Sequence, residues 1–339
     1  VPTPEPSVPA PPYDPELEVV LDAVRETLSD GLDITQIQEI RAMSAAVQPA
    51  IESVLDGHDV VHSEISVPGP PGAPDVVLSV LRPTDQAGGA PGIFHIHGGG
   101  MITLDRFFGA AGLVELVETF GAVVTSVEYR LAPEHPDPAP VEDCYAGLCW
   151  VAEHAAEIGV DPASILVHGE SAGGGLAAGV ALLARDRGGP ELLGQVLMCP
   201  MLDDRNDSVS SHQYTDRSFW NRRSNDVGWT ALLGDRRGGP DVSPYAAPAR
   251  AGDLAGLPPA FLDVGSAEVF RDEVVAYASR LWAAGGQAEL AVWSGGFHGF
   301  ELFAADAEVS RAAKAARHSW IRRLLAQASR PPGSVAPTP

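Results

Sequence analysis

The chain has 339 residues, 45% of them hydrophobic and 20% charged, with a formal net charge of -23 and a pI near 4.6. That length and composition suit one extended α/β domain, or one domain with a small appendage. The acidity, offset by no basic patch, argues against a nucleic-acid partner and reads as solubility in a high-salt or crowded interior. No apolar stretch approaches the ~18 residues of a membrane span, which argues against a membrane protein.

Residues 1–15 carry prolines at 2, 4, 6, 9, 11, 12 and 15. Proline gives no ladder hydrogen bond and breaks helix interiors, so an extended or flexible arm is expected. Next, Leu17, Val20, Leu21, Val24 and Leu28 recur at helical spacing, with Gly31 as the stop. A second helix is expected with Thr35 and Gln38 in capping-box register and Ile37, Ile40, Val47 and Ile51 apolar around a break at Pro49. These helices, spanning 16–57, precede any strand.

From 58 to about 330 short β-branched runs alternate with helical ones. Eight strands are expected near 59–67, 75–82, 92–97, 122–128, 164–168, 194–199, 260–264 and 288–293. After the first pair, helices separate them, which predicts a mostly parallel eight-stranded sheet covered on both faces. Residues 203–250 interrupt the alternation: Tyr214, Phe219, Trp220 and Trp229 stand among Asp, Arg and Asn, as in a surface excursion or a lid. Residues 331–339 read as a flexible tail. Of the three cysteines, Cys144, Cys149 and Cys199, none forms a C-x-x-C pair, and Cys199 in "QVLMCPML" is expected to be a buried, inert thiol. A cytoplasmic location follows from this and from the lack of a signal-like opening, although the start at Val1 leaves a removed leader open.

In open parallel sheets ligands bind beyond the carboxyl ends of the strands. "GESAGGG" follows the fifth strand, and Gly169-x-Ser171-x-Gly173 is the spacing of a nucleophile elbow, although glycine-rich turns also bind phosphate or pack tightly. "HGGG" at 97–100 follows the third strand, where side-chain-free N–H groups can face a developing oxyanion. His97 is expected to order that loop and His95 to be a hydrogen-bonded core histidine. His298, in "SGGFHGF" after the last strand, is the candidate base. Among Asp263, Glu268, Asp272 and Glu273, only Glu268 falls in the loop just past a strand; Asp272 and Glu273 sit where carboxylates commonly serve a helix N-terminus. The order Ser171, Glu268, His298 is the serine, acid, histidine order of α/β-hydrolases.

Taken in order, HGGG, "YRLAPEHP" at 129–136, "GESAGGG", "SPYAAP" at 243–248, "GLPPA" at 256–260 and "GFHGF" resemble the hormone-sensitive-lipase-like family of bacterial carboxylesterases over roughly residues 60–325. The resemblance implies an α/β-hydrolase core with a helical cap built from the N-terminal helices and the 203–250 insert. It also implies Ser171 as nucleophile, His298 as base, and the N–H groups of Gly99, Gly100 and Ala172 as the oxyanion hole. The acid, usually aspartate in the family, is Glu268 here. Glu170, where the family often has aspartate, and Asp143, which resembles a brace for the YRLAPE segment, are expected to be structural.

The expected activity is hydrolysis of short-acyl carboxylic esters through an acyl-enzyme. Amide or lactone hydrolysis and acyl transfer use the same residues, and a non-catalytic hydrolase-like receptor is the alternative from another class. No cofactor is implied, and no metal, because no ligand spacing such as H-E-x-x-H occurs. The expected partner is a small-molecule ester, and the family makes a homodimer plausible.

Overall fold

The computed structural model of the protein describes residues 8–26, 31–86, 88–215 and 218–328. Its strands are β1 (Val60–Val67), β2 (Val76–Pro83), β3 (Ala90–Ile96), β4 (Val123–Glu128), β5 (Val160–Glu170), β6 (Gly194–Met198), β7 (Ala260–Gly265) and β8 (Ala288–Trp293). They form one sheet in the order β1-β2-β4-β3-β5-β6-β7-β8. The pairs β1/β2 and β2/β4 are antiparallel and the others parallel. All eight expected strands are present. β5 departs most from expectation, starting at Val160, because Ala90 pairs with Val160 across a register shift before Gly92. Pro91, between them, has no N–H to give the ladder.

The helices are α1 (Pro15–Arg25), α2 (Ile37–Val47), α3 (Ile51–Leu55), α4 (Ala110–Phe120), α5 (Ala139–Glu153), α6 (Ala155–Ile158), α7 (Ala172–Arg187), α8 (Val209–Gln213), α9 (Arg222–Leu233), α10 (Arg271–Ala283), α11 (Phe300–Phe303) and α12 (Glu308–Ala328). Successive strand residues face opposite sides of a sheet, and here the two sides meet different helices. Phe94, Val167 and Leu262 share one core with Leu148 of α5, Leu176 of α7 and Val274 of α10. Ile93, Leu166 and Phe261, one residue before each, pack with Leu113 of α4 and Ile321 of α12. Burial on both faces explains why the central strands read as near-continuous apolar runs.

Two local expectations change. Thr35 does not open a capping box: it lies in a 3₁₀ turn (Ile34–Gln36) whose cap is Asp33, which accepts from Thr35 N at 2.9 Å and Thr35 Oγ1 at 2.7 Å. Asp33 satisfies the N–H of Thr35 itself, so the capping role falls to the aspartate two residues upstream, and α2 starts without a side-chain cap. α1 also ends at Arg25, well before Gly31. Leu28, residues 1–7 of the arm and the tail at 331–339 lie outside the described residues.

From Val8 to Asp14 the chain has no regular secondary structure and runs along the insert. Pro9 O accepts from Gln213 Nε2, Pro11 O from Tyr214 OH at 3.0 Å, and Asp14 N donates to Gly295 O at 3.1 Å. α1 follows with Asp14 as N-cap and Pro15 at its first turn. Its Leu17 and Leu21 pack on Phe297 and Phe300, beside His298. In the insert, the polar composition satisfies its own irregular backbone: fully buried Asp204 pairs with Arg250 and accepts from Gly238 N at 2.7 Å. Among the described residues no helix is long and apolar enough to cross a membrane.

Candidate active site

β5 passes into α7 through Ser171, whose φ of 54° and ψ of -122° are strained for a residue with a side chain. The turn stays in place because Ser171 N donates to Met198 O at 2.8 Å and Ser171 O accepts from Met201 N at 2.9 Å. α7 then starts hard against the end of β3. A Cβ on Gly173 would lie 2.0 Å from Ile96 O and 2.5 Å from His97 O, so only glycine fits there.

His298, in the loop after β8, has Nε2 2.9 Å from Ser171 Oγ and Nδ1 3.4 Å from Glu268 Oε1. The second distance is long for a hydrogen bond, as is common in ligand-free sites. Ser171, His298 and Glu268 are 8%, 4% and 0% exposed, so the three polar groups meet in a nearly closed space. Phe270 stands edge-on to the imidazole, ring centroids 5.1 Å apart, and fixes its plane. Burial pushes the Glu268 carboxyl upward, while the facing His298 pulls it down.

The other acids are engaged elsewhere. Asp272 accepts from Ser210 N at 2.7 Å. Glu273 accepts from Leu202 N at 2.7 Å and Asp203 N at 3.2 Å. Asp263 faces Arg317 at 3.2 Å and Trp293 Nε1 at 3.4 Å. Among the described residues only Glu268 brings a carboxylate to His298.

The glycine loop after β3 lies on the other side of Ser171. Gly99 and Gly100 take φ values of 99° and 62°, and with Ala172 at the start of α7 they donate no hydrogen bond to protein among the described residues. The neighbouring carbonyls are occupied: Tyr129 OH donates to His97 O at 2.9 Å, and His97 Nδ1 lies 2.9 Å from Gly98 O. The His97 ring stacks on Tyr129 at 4.2 Å. Burial holds the pKa of His97 down at about 4 and that of His95 at about 3, so both are neutral. His95 Nδ1 is 2.9 Å from His168 Nδ1 in the core.

Glu170, just before the serine, is buried, its pKa pushed up to about 7 by desolvation, and Oε1 has no partner. Asp143 receives Arg130 through N, Nε and the guanidinium NH2 at 3.0, 2.7 and 2.6 Å, which ties down the segment that starts at Tyr129.

Two residues at the site have no motif to announce them. Trp220, from the insert, covers the glycine loop so closely that a Cβ on Gly100 would fall 2.3 Å from its Cη2, and its ring lies 6.3 Å from that of His298. Cys199 follows β6, with φ of 35°. The residue is partly exposed, because β6 stops at Met198 and the chain turns out of the sheet, while the thiol group itself is buried, as expected, and desolvation pushes its pKa well above the ordinary thiol value. Its thiol, a Glu268 oxygen and a His298 nitrogen lie within 4.8 Å of one another. An open cleft of about 500 Å³ bounded by Gln48, Ile51, His62 and Phe107 includes none of these residues.

Residues 93–302 match the model of a family described as having the alpha/beta hydrolase fold. The chain is 35% identical over 315 residues to Carboxylesterase NlhH of Mycobacterium tuberculosis, covering 88% of this chain and 92% of that protein. It is 36% identical over 282 residues to Esterase LipI of the same organism, covering 81% and 83%. Among solved structures, Bacterial Heroin Esterase superposes with a TM-score of 0.84 at 41% identity, covering 92% of this chain and 98% of the other. An esterase from Pyrobaculum calidifontis gives 0.82 at 30% identity, covering 93% and 99%. With the sheet order, the strand-to-helix serine turn and relatives matched over nearly their whole length, the chain belongs to the α/β-hydrolase fold family, in its hormone-sensitive-lipase-like branch.

Proposed function

We propose that the protein is a serine carboxylesterase acting on short-acyl esters, with Ser171 as nucleophile, His298 as base and Glu268 as the acid that orients it. Its relatives are named carboxylesterases and esterases. The observation that supports the assignment most is the 2.9 Å approach of His298 Nε2 to a serine hydroxyl on a strained turn. Ser171 Oγ attacks the ester carbonyl as Nε2 takes its proton; the carbonyl oxygen, now negative, is held by the free N–H groups of Gly99, Gly100 and Ala172. His298 then passes the proton to the leaving alcohol. Water attacks the acyl-enzyme by the same route and releases the acid. Glu268 keeps the Nδ1 tautomer and stabilises the imidazolium at each transfer.

The short-acyl preference rests on the roof. In this reading the helices of 16–57 and the insert at about 203–250 form a cap, and Trp220 on Gly100 limits the depth of the chamber. The test is hydrolysis of p-nitrophenyl butanoate and hexadecanoate below any micelle threshold. The butanoate is expected to react faster, and Ser171→Ala to lose several orders of magnitude in kcat while staying folded. A folded Ser171→Ala protein that keeps a tenth of the wild-type kcat would overturn the nucleophile. Faster hexadecanoate hydrolysis would overturn the chain-length assignment alone.

A further inference from the structure

Three loops, after β6, β7 and β8, bring together the Cys199 thiol, the Glu268 carboxylate and the His298 imidazole within 4.8 Å. We propose that this trio is a binding site for a thiophilic divalent cation, of the Zn²⁺ or Cd²⁺ type, and that the bound ion switches hydrolysis off.

Thiolate, imidazole and carboxylate are the ligands that tetrahedral zinc-like ions take. Metal bonds of about 2.0–2.2 Å to nitrogen and oxygen place two tetrahedral ligands about 3.4 Å apart. His298 Nδ1 and Glu268 Oε1 are 3.4 Å apart, a spacing that strains a hydrogen bond and suits a shared ion. A second observation points the same way: Glu268 Oε2 is fully buried and has no hydrogen-bond partner, a deficit that a cation would satisfy. Cys199 supplies the soft ligand. Its N–H donates to Asp263 O at 2.7 Å, which fixes the backbone that carries the thiol beside Glu268 and His298. Burial among Glu268, Asp263 and Glu170 disfavours a free thiolate there, and the charge of an ion removes that penalty.

Binding is redox-neutral. The Cys199 thiol releases its proton to solvent as the S–metal bond forms. The imidazole proton leaves Nδ1, whose lone pair binds the ion, and a proton from solvent occupies Nε2. A protonated Nε2 cannot take the proton of Ser171, and Glu268 no longer orients the ring. The inhibitory half of the proposal rests on the esterase reading above; the binding half does not.

The test is titration of metal-stripped full-length protein with Cd²⁺ in a weakly coordinating buffer. It reads the thiolate-to-cadmium ultraviolet absorption and, in parallel, p-nitrophenyl butanoate hydrolysis relative to each variant's own uninhibited rate. The wild type is expected to take one Cd²⁺ per chain, to show the band, to lose turnover as the band grows, and to recover with EDTA. Cys199→Ala, or Cys199→Ser should the alanine variant fail to fold, is expected to lose the band and to need roughly tenfold or more Cd²⁺ for the same inhibition. Cys149→Ala, at the other partly buried cysteine, is expected to behave as wild type. A band that persists without Cys199, no band in the wild type, or equal sensitivity of wild type and Cys199 variants would each overturn the proposal. If the metal-free wild type hydrolyses no ester, the functional reading fails, while the absorption band still decides whether the site exists.

Discussion

Asp272, four residues after Glu268, accepts a 2.7 Å hydrogen bond from Ser210 N, which commits its carboxylate to the insert helix α8 and away from His298. Glu268, fully buried, has Oε1 3.4 Å from His298 Nδ1 and is the acid proposed to orient the imidazole. Glu268→Gln keeps the shape and removes the charge. In a serine–histidine–acid site the equivalent change lowers kcat by roughly 10⁴, and a loss in that direction is expected here. Asp272→Asn is expected to weaken the contact with α8 and lower stability by about 0.3–1 kcal/mol, with kcat nearly kept. Steady-state kinetics of both folded variants decide it: greater damage from Asp272→Asn would reassign the acid.

The start of α7 leaves no volume beside Gly173, where a Cβ would meet two backbone carbonyls of β3 and its loop. Neither carbonyl can swing aside without breaking the end of the strand. Gly173→Ala is therefore expected to destabilise the fold by about 3 kcal/mol or more, in the range of overpacked core sites. Thermal or denaturant unfolding measures this, and a change below about 1 kcal/mol would mean that the turn relaxes easily.

Gly100 and Trp220 are expected to be coupled. Gly100→Ala pushes the new methyl into Trp220 Cη2 and shifts a proposed oxyanion donor, with an expected loss of roughly 10²-fold in kcat. Trp220→Ala on the same background removes the clash and is expected to restore part of that loss. A double-mutant cycle in kcat reads the coupling. Strict additivity would show that the strain at φ of 62°, and not the tryptophan, governs the position.

Glu170 gives a pH dependence of stability. Its folded pKa is pushed up to about 7 from an ordinary 4.5 by burial, so the folded state holds its proton while the unfolded chain has lost it. The stabilisation is complete below pH 4.5 and is lost as pH rises through 7, since stability falls with pH wherever the folded state binds more protons. Glu170→Gln removes that dependence. At about 1.4 kcal/mol for each pH interval of one, the variant is expected to gain up to roughly 3 kcal/mol on the wild type between pH 4.5 and 8. Denaturant titrations at the two pH values test this, and a constant difference would mean that a charged partner keeps the carboxylate ionised in the folded state.

Much of this was legible from residue order. Alternation of apolar and β-branched runs marked all eight strands, because backbone ladders and two-sided burial impose that pattern on the local sequence. Gly169-x-Ser171-x-Gly173 marked the sharp turn, although only the crowding at Gly169, against Gly173 O, is local, and that at Gly173 is against the end of β3. What the sequence could not decide depends on groups far apart in the chain. Ser171 and His298 are separated by 127 residues, and their 2.9 Å contact depends on the parallel run from β5 to β8, which puts the carboxyl ends of both strands on one edge of the sheet. Asp272, the neighbouring acid, is held by Ser210, a residue of the insert about 60 positions away. Cys199 looked like a strand residue because its neighbours are apolar, yet β6 ends one residue earlier and the thiol turns toward the acid and base. Periodicity reports which face of its own element a side chain occupies; which distant group it then meets is fixed only by how the loops beyond the strands pack.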